Sequence, residues 1–167
     1  MNFFLKYWSP IVATLAFLLS LWASYNTYKL THLKPKALIK WINEVKDGET
    51  SQFNICLSVF NGSSKPISIK KIWLNNFPAI DFPLVLVSDE DSEIYSDDLP
   101  INVDPFKSIK FVVAFQYVTP ELLQRKRLIK LVYDSNKTVI ADTDSPNVNI
   151  DSREMIRRLN AYRLKKK

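Results

Sequence analysis

"FNICLSVFNGSSKPISIKKIWL", residues 53–74, is the stretch whose reading decides the fold. In its first half Phe53, Ile55, Leu57 and Val59 fall on one face, with Asn54, Cys56 and Ser58 between them. A period of two is what a half-buried strand requires, because successive side chains point to opposite sides. The polar run from Asn61 to Pro66 breaks the pattern and reads as a turn. In the second half the apolar positions slip by one between Ile69 and Ile72, which is the signature of a β-bulge.

The same texture continues on both sides. Ala37, Ile39, Trp41 and Val45 alternate with polar positions, and Asp47-Gly48 then gives a strong short hairpin signal. Downstream, "FPLVLV" (82–87) reads as a short strand and "KSIKFVVAFQYV" (107–118) as a long one. "RLIKLVYDSNKTVIADT" (127–143) reads as a hairpin turning at 134–137. About seven short strands with no long amphipathic helix between them predict an all-β, antiparallel sandwich rather than a parallel sheet.

The strand–turn–strand "SVFNGSSKPISIKKIWL" (58–74) resembles immunoglobulin-like and fibronectin-III-like modules. That resemblance implies Trp73 as the core tryptophan of a sandwich. With one cysteine, Cys56, the chain lacks the paired cysteines of true antibody domains. The junction "SYNTYKL…KPKALIKW" also resembles that of small single-pass membrane proteins of bacteria and prophages that lead into a sandwich, which implies a host or phage membrane protein.

Ahead of the sandwich, residues 7–28 contain no charge between Lys6 and Lys29. At 1.5 Å of rise per residue such a segment spans about 33 Å, close to the hydrocarbon thickness of a bilayer. Trp8 flanks one end, and Trp22, Tyr25 and Tyr28 the other, where amphipathic rings prefer the headgroup level. Ser9 followed by Pro10 reads as an N-cap and first helical residue. A cleavable signal is disfavoured, because "LWA" (21–23) puts Leu21 and Trp22 where small residues are wanted. The expected organisation is an anchor with its juxtamembrane helix at 1–33, a sandwich at 34–149, and a basic C-terminal helix and tail at 150–167.

Charge sets an expected orientation. Lys6 alone stands before the apolar run, whereas Lys29, Lys34, Lys36 and Lys40 follow it, so the positive-inside rule puts the N-terminus out and the domain in the cytoplasm. A surface-displayed extracellular domain is the alternative; the glycosylation triplets at Asn61 and Asn136 decide nothing. The net charge of +6 resides wholly in the last fifteen residues, with seven bases and one acid. Arg153, Arg157, Arg158, Arg163, Lys165, Lys166 and Lys167 are candidates for contact with an anionic membrane surface, set against a plain solvated helix. Met155, Ile156, Leu159 and Tyr162 form the apolar stripe of that helix, and Asp151 with Glu154 a capping-box-like start.

Residues 72–106 hold eight acids and no Lys or Arg, while 107–130 hold six bases and one acid. Within the acidic run, Asp89, Glu90, Asp91, Glu93, Asp97 and Asp98 are candidates to dock a basic partner, against the readings of a solvated loop or a calcium site. No catalytic constellation is visible. His32 is the only histidine, and two glycines leave no room for a glycine-rich phosphate loop. Cys56, mid-strand, reads as a packed inert thiol. The expectation is a membrane-anchored, non-enzymatic binding or adaptor module without a cofactor. Its partners are the lipid bilayer and another protein, rather than nucleic acid or a small-molecule substrate. The alternative is a structural accessory subunit whose helix packs within a larger membrane complex.

Overall fold

The structure, a computed structural model, describes residues 2–31, 33–47, 50–89, 92–118, 128–134, 136–143 and 148–166. It divides into two compact units, Met1–Leu33 and Lys34–Lys167.

The first unit is one helix, α1 (Asn2–Thr31). It begins before Ser9, and Pro10 lies inside it rather than at its first position. A proline in a helix removes one backbone hydrogen bond and crowds the carbonyl four residues back. That loss is confined to one turn, and "NFFLKYW" ahead of it offers no glycine or second proline to stop the helix. Trp8–Thr31 is long and apolar enough to cross a membrane, and none of it is buried within the structure. Its threonine hydroxyls bond locally: Thr14 donates to the Pro10 carbonyl at 2.8 Å, Thr27 to that of Ala23 at 2.9 Å and Thr31 to that of Tyr28 at 2.9 Å. Such back-bonding is how a polar side chain is accommodated where no water is at hand.

The second unit runs β1 (Lys36–Asp47), β2 (Thr50–Phe60), β3 (Ile67–Leu74), β4 (Phe77–Pro78), β5 (Val85–Asp89), β6 (Ser92–Tyr95), β7 (Ile101–Val103), β8 (Ser108–Val118), β9 (Ile129–Tyr133), β10 (Lys137–Ile140), β11 (Asp142–Thr143), β12 (Asn149–Ile150) and α2 (Ser152–Lys166). One sheet has β1, β2 and β8 side by side, all antiparallel. β11 and β12 add to the free edge of β1 in the parallel sense, a departure from a purely antiparallel sheet. The second sheet has the order β10-β9-β3-β4, with β7 also pairing with β3. The chain crosses between sheets from β2 to β3 and from β8 to β9, so each sheet is built from both halves of the sequence.

Between the sheets lies the main core. Phe53, Ile55, Leu57 and Val59 of β2 meet Ile69, Ile72 and Leu74 of β3 and Ile129 and Leu131 of β9, all buried. Burying each such side chain contributes roughly 1.5–3 kcal/mol, an upper figure because unfolded chains are not fully extended. The bulge read from the sequence lies between Ile69 and Lys71. It keeps Ile69 and Ile72 both inward, and it thereby turns Trp73 outward. Trp73 is half-buried between Ile72 and Leu74, which corrects its expected place in the core. β1 carries a second bulge, between Ile39 and Trp41, that the sequence pattern did not reveal. Ile39 and Ile42 therefore face the main core while Trp41 faces the opposite side of the sheet, and Val45 is exposed.

That opposite side has its own covering layer. Trp41, Cys56, Val112 and Ala114 of the first sheet pack against Leu86 and Ile94 of the β5–β6 hairpin and Met155 and Leu159 of α2. Asp151 caps α2, its Oδ1 accepting from the Glu154 N–H at 2.7 Å. Hydrogen bonds from the Asn54 side chain to Asn43 (3.4 Å) and to the Met155 sulfur (3.7 Å), and from Asn43 to the Ile150 carbonyl (3.2 Å), hold the helix to the sheet. α2 is thus an integral part of the domain rather than a detached tail.

Candidate functional site

The acidic run is the expected docking surface, and the structure gives its members different work. Glu90 and Asp91 lie outside the described residues, as does the side chain of Asp89. Asp97 is engaged in the fold: its N–H donates to the Val112 carbonyl at 2.7 Å, and its Oδ2 accepts from the Val112 N–H at 2.8 Å. β8 is the edge of its sheet, and an open edge presents unpaired backbone groups to any passing strand. Asp97, with the Ile80 N–H donating to the Ala114 carbonyl at 2.9 Å, covers that edge. Glu93 accepts from the Tyr95 hydroxyl, and Asp98 is exposed. What read as one charged loop is a hairpin with an apolar underside, of which Glu93 and Asp98 face solvent.

The basic helix is likewise partly committed. Glu154 binds Arg157 at 2.7 Å and Arg158 at 2.7 Å. Hydrogen bonds from these two guanidiniums hold the Glu154 carboxyl down at about 2. Arg153 is exposed. Of Arg163, Lys165 and Lys166 only the backbone is described, and Lys167 and His32 lie outside the described residues. Met155 and Leu159 are spent on the sheet, and among the described side chains of α2 Arg153, Arg157 and Arg158 face outward with exposed Ile156 beside them.

Cys56 is buried, and burial pushes its thiol up to about 12. A protonated, enclosed thiol is a poor nucleophile and a poor metal ligand. Among the described residues no group of three or more His, Cys, Asp or Glu side chains could hold a metal ion. A groove of about 190 Å³ on the second sheet is lined by Lys70, Lys71 and Asp81 together with Trp73, Pro78 and Leu99.

One end of the sandwich went unmarked in the sequence. Lys36 pairs with Phe60, and Phe60 with Ser108, so the start of β1, the 61–66 loop and the 104–107 turn lie together. Asn61, fully buried, ties them. Its Nδ2 donates to the carbonyls of Lys65 (2.8 Å), Val103 (3.0 Å) and Asp104 (3.2 Å), while its Oδ1 accepts from the Ser63 N–H at 3.0 Å and hydroxyl at 2.8 Å. Asn61 nitrogen is therefore committed inside the fold. At the tip, Pro105-Phe106 occupies the centre of a turn, with Phe106 at φ 55° and 55% exposed. A left-handed φ suits glycine or asparagine after proline in a turn; a bulky residue there costs on the order of 1 kcal/mol or more. The signal available in the sequence was "DPFK", a turn carrying an aromatic where turns prefer small residues.

The fold and these surfaces define a β-sandwich behind one N-terminal helix long and apolar enough to span a membrane. No family model and no curated protein matches the chain. Among solved structures it is similar to a copper-bound PCuAC domain from PmoF2, at 15% identity over 68% of this chain and 95% of that one, with a TM-score of 0.43. An apo PCuAC domain from PmoF1 is similar at 14% identity over 65% and 92%, TM-score 0.35. A protein from Archaeoglobus fulgidus is similar at 12% identity over 65% and 87%, TM-score 0.32. Similarity at this level assigns neither ligand nor function to this chain.

Proposed function

We propose that the chain is a single-pass, membrane-anchored, non-enzymatic binding module whose immunoglobulin-like sandwich is held at the membrane face to engage another protein. The observation that carries the reading is the Trp8–Thr31 helix, long and apolar enough to cross a membrane and not buried, followed after a few residues by a folded domain. Support for the immunoglobulin-like arrangement comes from the strand order: β1-β2-β8 and β3-β9-β10 follow the A-B-E and C-F-G groupings of such sandwiches. Support for the non-enzymatic part comes from the buried, protonated Cys56 thiol and from the single histidine of the sequence, which leaves no histidine pair for a nucleophile or a metal. Lys29, Lys34, Lys36 and Lys40 favour a cytoplasmic domain. Glu93 and Asp98 remain the acidic candidates for a basic partner, and Arg153 with its neighbours on α2 adds a charged contact to anionic lipid.

The test has two arms. The chain should resist extraction from membranes by alkaline carbonate, and a cytoplasm-dependent reporter fused after Lys167 should be active. Release by carbonate refutes the anchor. A silent reporter with the chain still embedded refutes the orientation and moves the domain outside.

A further inference from the structure

We infer that the Phe106 end of the sandwich is a membrane-docking tip that seats the domain on the anionic bilayer its own helix crosses. The inference rests on the anchor reading above. Phe106 is 55% exposed and Phe60 42% exposed at the same end of the sandwich, beside Lys36, Lys65, Lys107 and Lys137. Lys107 pairs with Asp104 at 3.0 Å, the Asp134 carboxylate accepts from the Ser68 N–H, and exposed Asp142 lies beside Leu38, so the four lysines face three acids and this end keeps a small basic excess. Apolar rings set among lysines are what the interface of an anionic membrane accommodates: the ring enters the acyl boundary and the ammonium groups stay among the headgroups.

Two further observations point the same way. Phe106 is held at a left-handed φ in a slot that glycine would fill without strain, so the fold keeps a large exposed ring against a local conformational cost. The end it sits on is also the end at which the chain enters the domain. Thr31 closes the helix and Pro35 is already buried in the sandwich, leaving 32–34 between them. A connection of that length spans at most about 14 Å, so the membrane surface is within reach of this end by chain length alone. Asn61, by tying the 61–66 loop to the 104–107 turn, makes the tip a fixed platform rather than a loose loop.

The full chain in phosphatidylserine-containing vesicles tests this. Ser64→Cys, exposed in the loop beside the tip, carries an environment-sensitive fluorophore, and Asn76→Cys, exposed at the far end, is its control. Buried Cys56 does not compete for label. Nitroxide lipids should quench the label at 64 several-fold more than the label at 76. Phe106→Gly should lower the quenching at 64 at least about twofold, toward the level at 76, without lowering the melting temperature, since glycine relieves the φ. Gln at Lys36, Lys65, Lys107 and Lys137 together should do so in part, and phosphatidylcholine alone should mimic that loss. Equal quenching at 64 and 76 in a chain that resists carbonate overturns the docking tip and leaves the anchor standing. Quenching at 64 that Phe106→Gly leaves untouched also overturns it. Extraction by carbonate removes the anchor, and the tip with it.

Discussion

Asn61→Ala should be among the most damaging single substitutions outside the apolar core, although it removes only one small polar side chain. Truncation strips partners from three carbonyls and from the Ser63 N–H, and the contacts to Val103 and Ser63 are buried. A net loss of about 1 kcal/mol for each of the two part-buried bonds (to Lys65 and Asp104) and about 1–3 for each of the two buried ones (to Val103 and Ser63) gives a total of about 4–8 kcal/mol. For a domain of this size that corresponds to a fall in melting temperature of about 15–30 °C, read by tryptophan fluorescence. Asn61→Asp sharpens the test, because it is isosteric but points a carboxylate at carbonyls. Their dipoles and the burial would raise the new carboxyl above its ordinary value of about 3.9. A raised folded value means the deficit is smallest below about pH 4 and grows as pH rises through that value. The melting gap between Asn61→Asp and the native chain should therefore be wider at neutral than at acid pH. A loss under about 1 kcal/mol for Asn61→Ala, or a gap flat in pH, would falsify the tie between the loops.

Trp41→Ala should cost about 3–5 kcal/mol and Trp73→Ala about 1 kcal/mol or less, since the first ring is fully buried and the second is not; equal losses in denaturant titrations would put the bulges elsewhere. Cys56 should resist thiol reagents at mildly alkaline pH and react only on unfolding, as its thiol is pushed up to about 12; prompt labelling of the folded chain contradicts its burial. Glu154, held at about 2, stabilises the start of α2 above the ordinary glutamate value, and that contribution is lost as pH falls toward about 2. Glu154→Gln should remove this acid-side dependence from the signal of Trp41, which α2 covers; an unchanged profile would mean the Arg157 and Arg158 bonds do not form in solution.

What the sequence alone determined is whatever is written in a local period. The uncharged run from 7 to 28 specified a helix long and apolar enough to cross a membrane because length and apolarity are properties of a segment, and the alternation of Phe53, Ile55, Leu57 and Val59 specified a strand and its buried face. Even the bulge at Ile69–Lys71 showed as a slip of one residue, because a bulge shifts the period where it stands. The bulge in β1 stayed hidden: Ile39 and Trp41 are both apolar, and both faces of that sheet are covered, so no polar residue marked the change of side. Tertiary packing then decided the sites. Asp97 looked like one carboxylate among six until β8 proved to be an edge that needed a backbone partner. Met155 and Leu159 gave up the stripe of a surface helix to a sheet about a hundred residues earlier in the chain, held there by Asn54. Phe106 came to the same end of the sandwich as Phe60 through strand register between β2 and β8, a pairing across some fifty residues that no local pattern encodes. Periodicity states which face of an element is apolar; only the assembled fold states what that face meets.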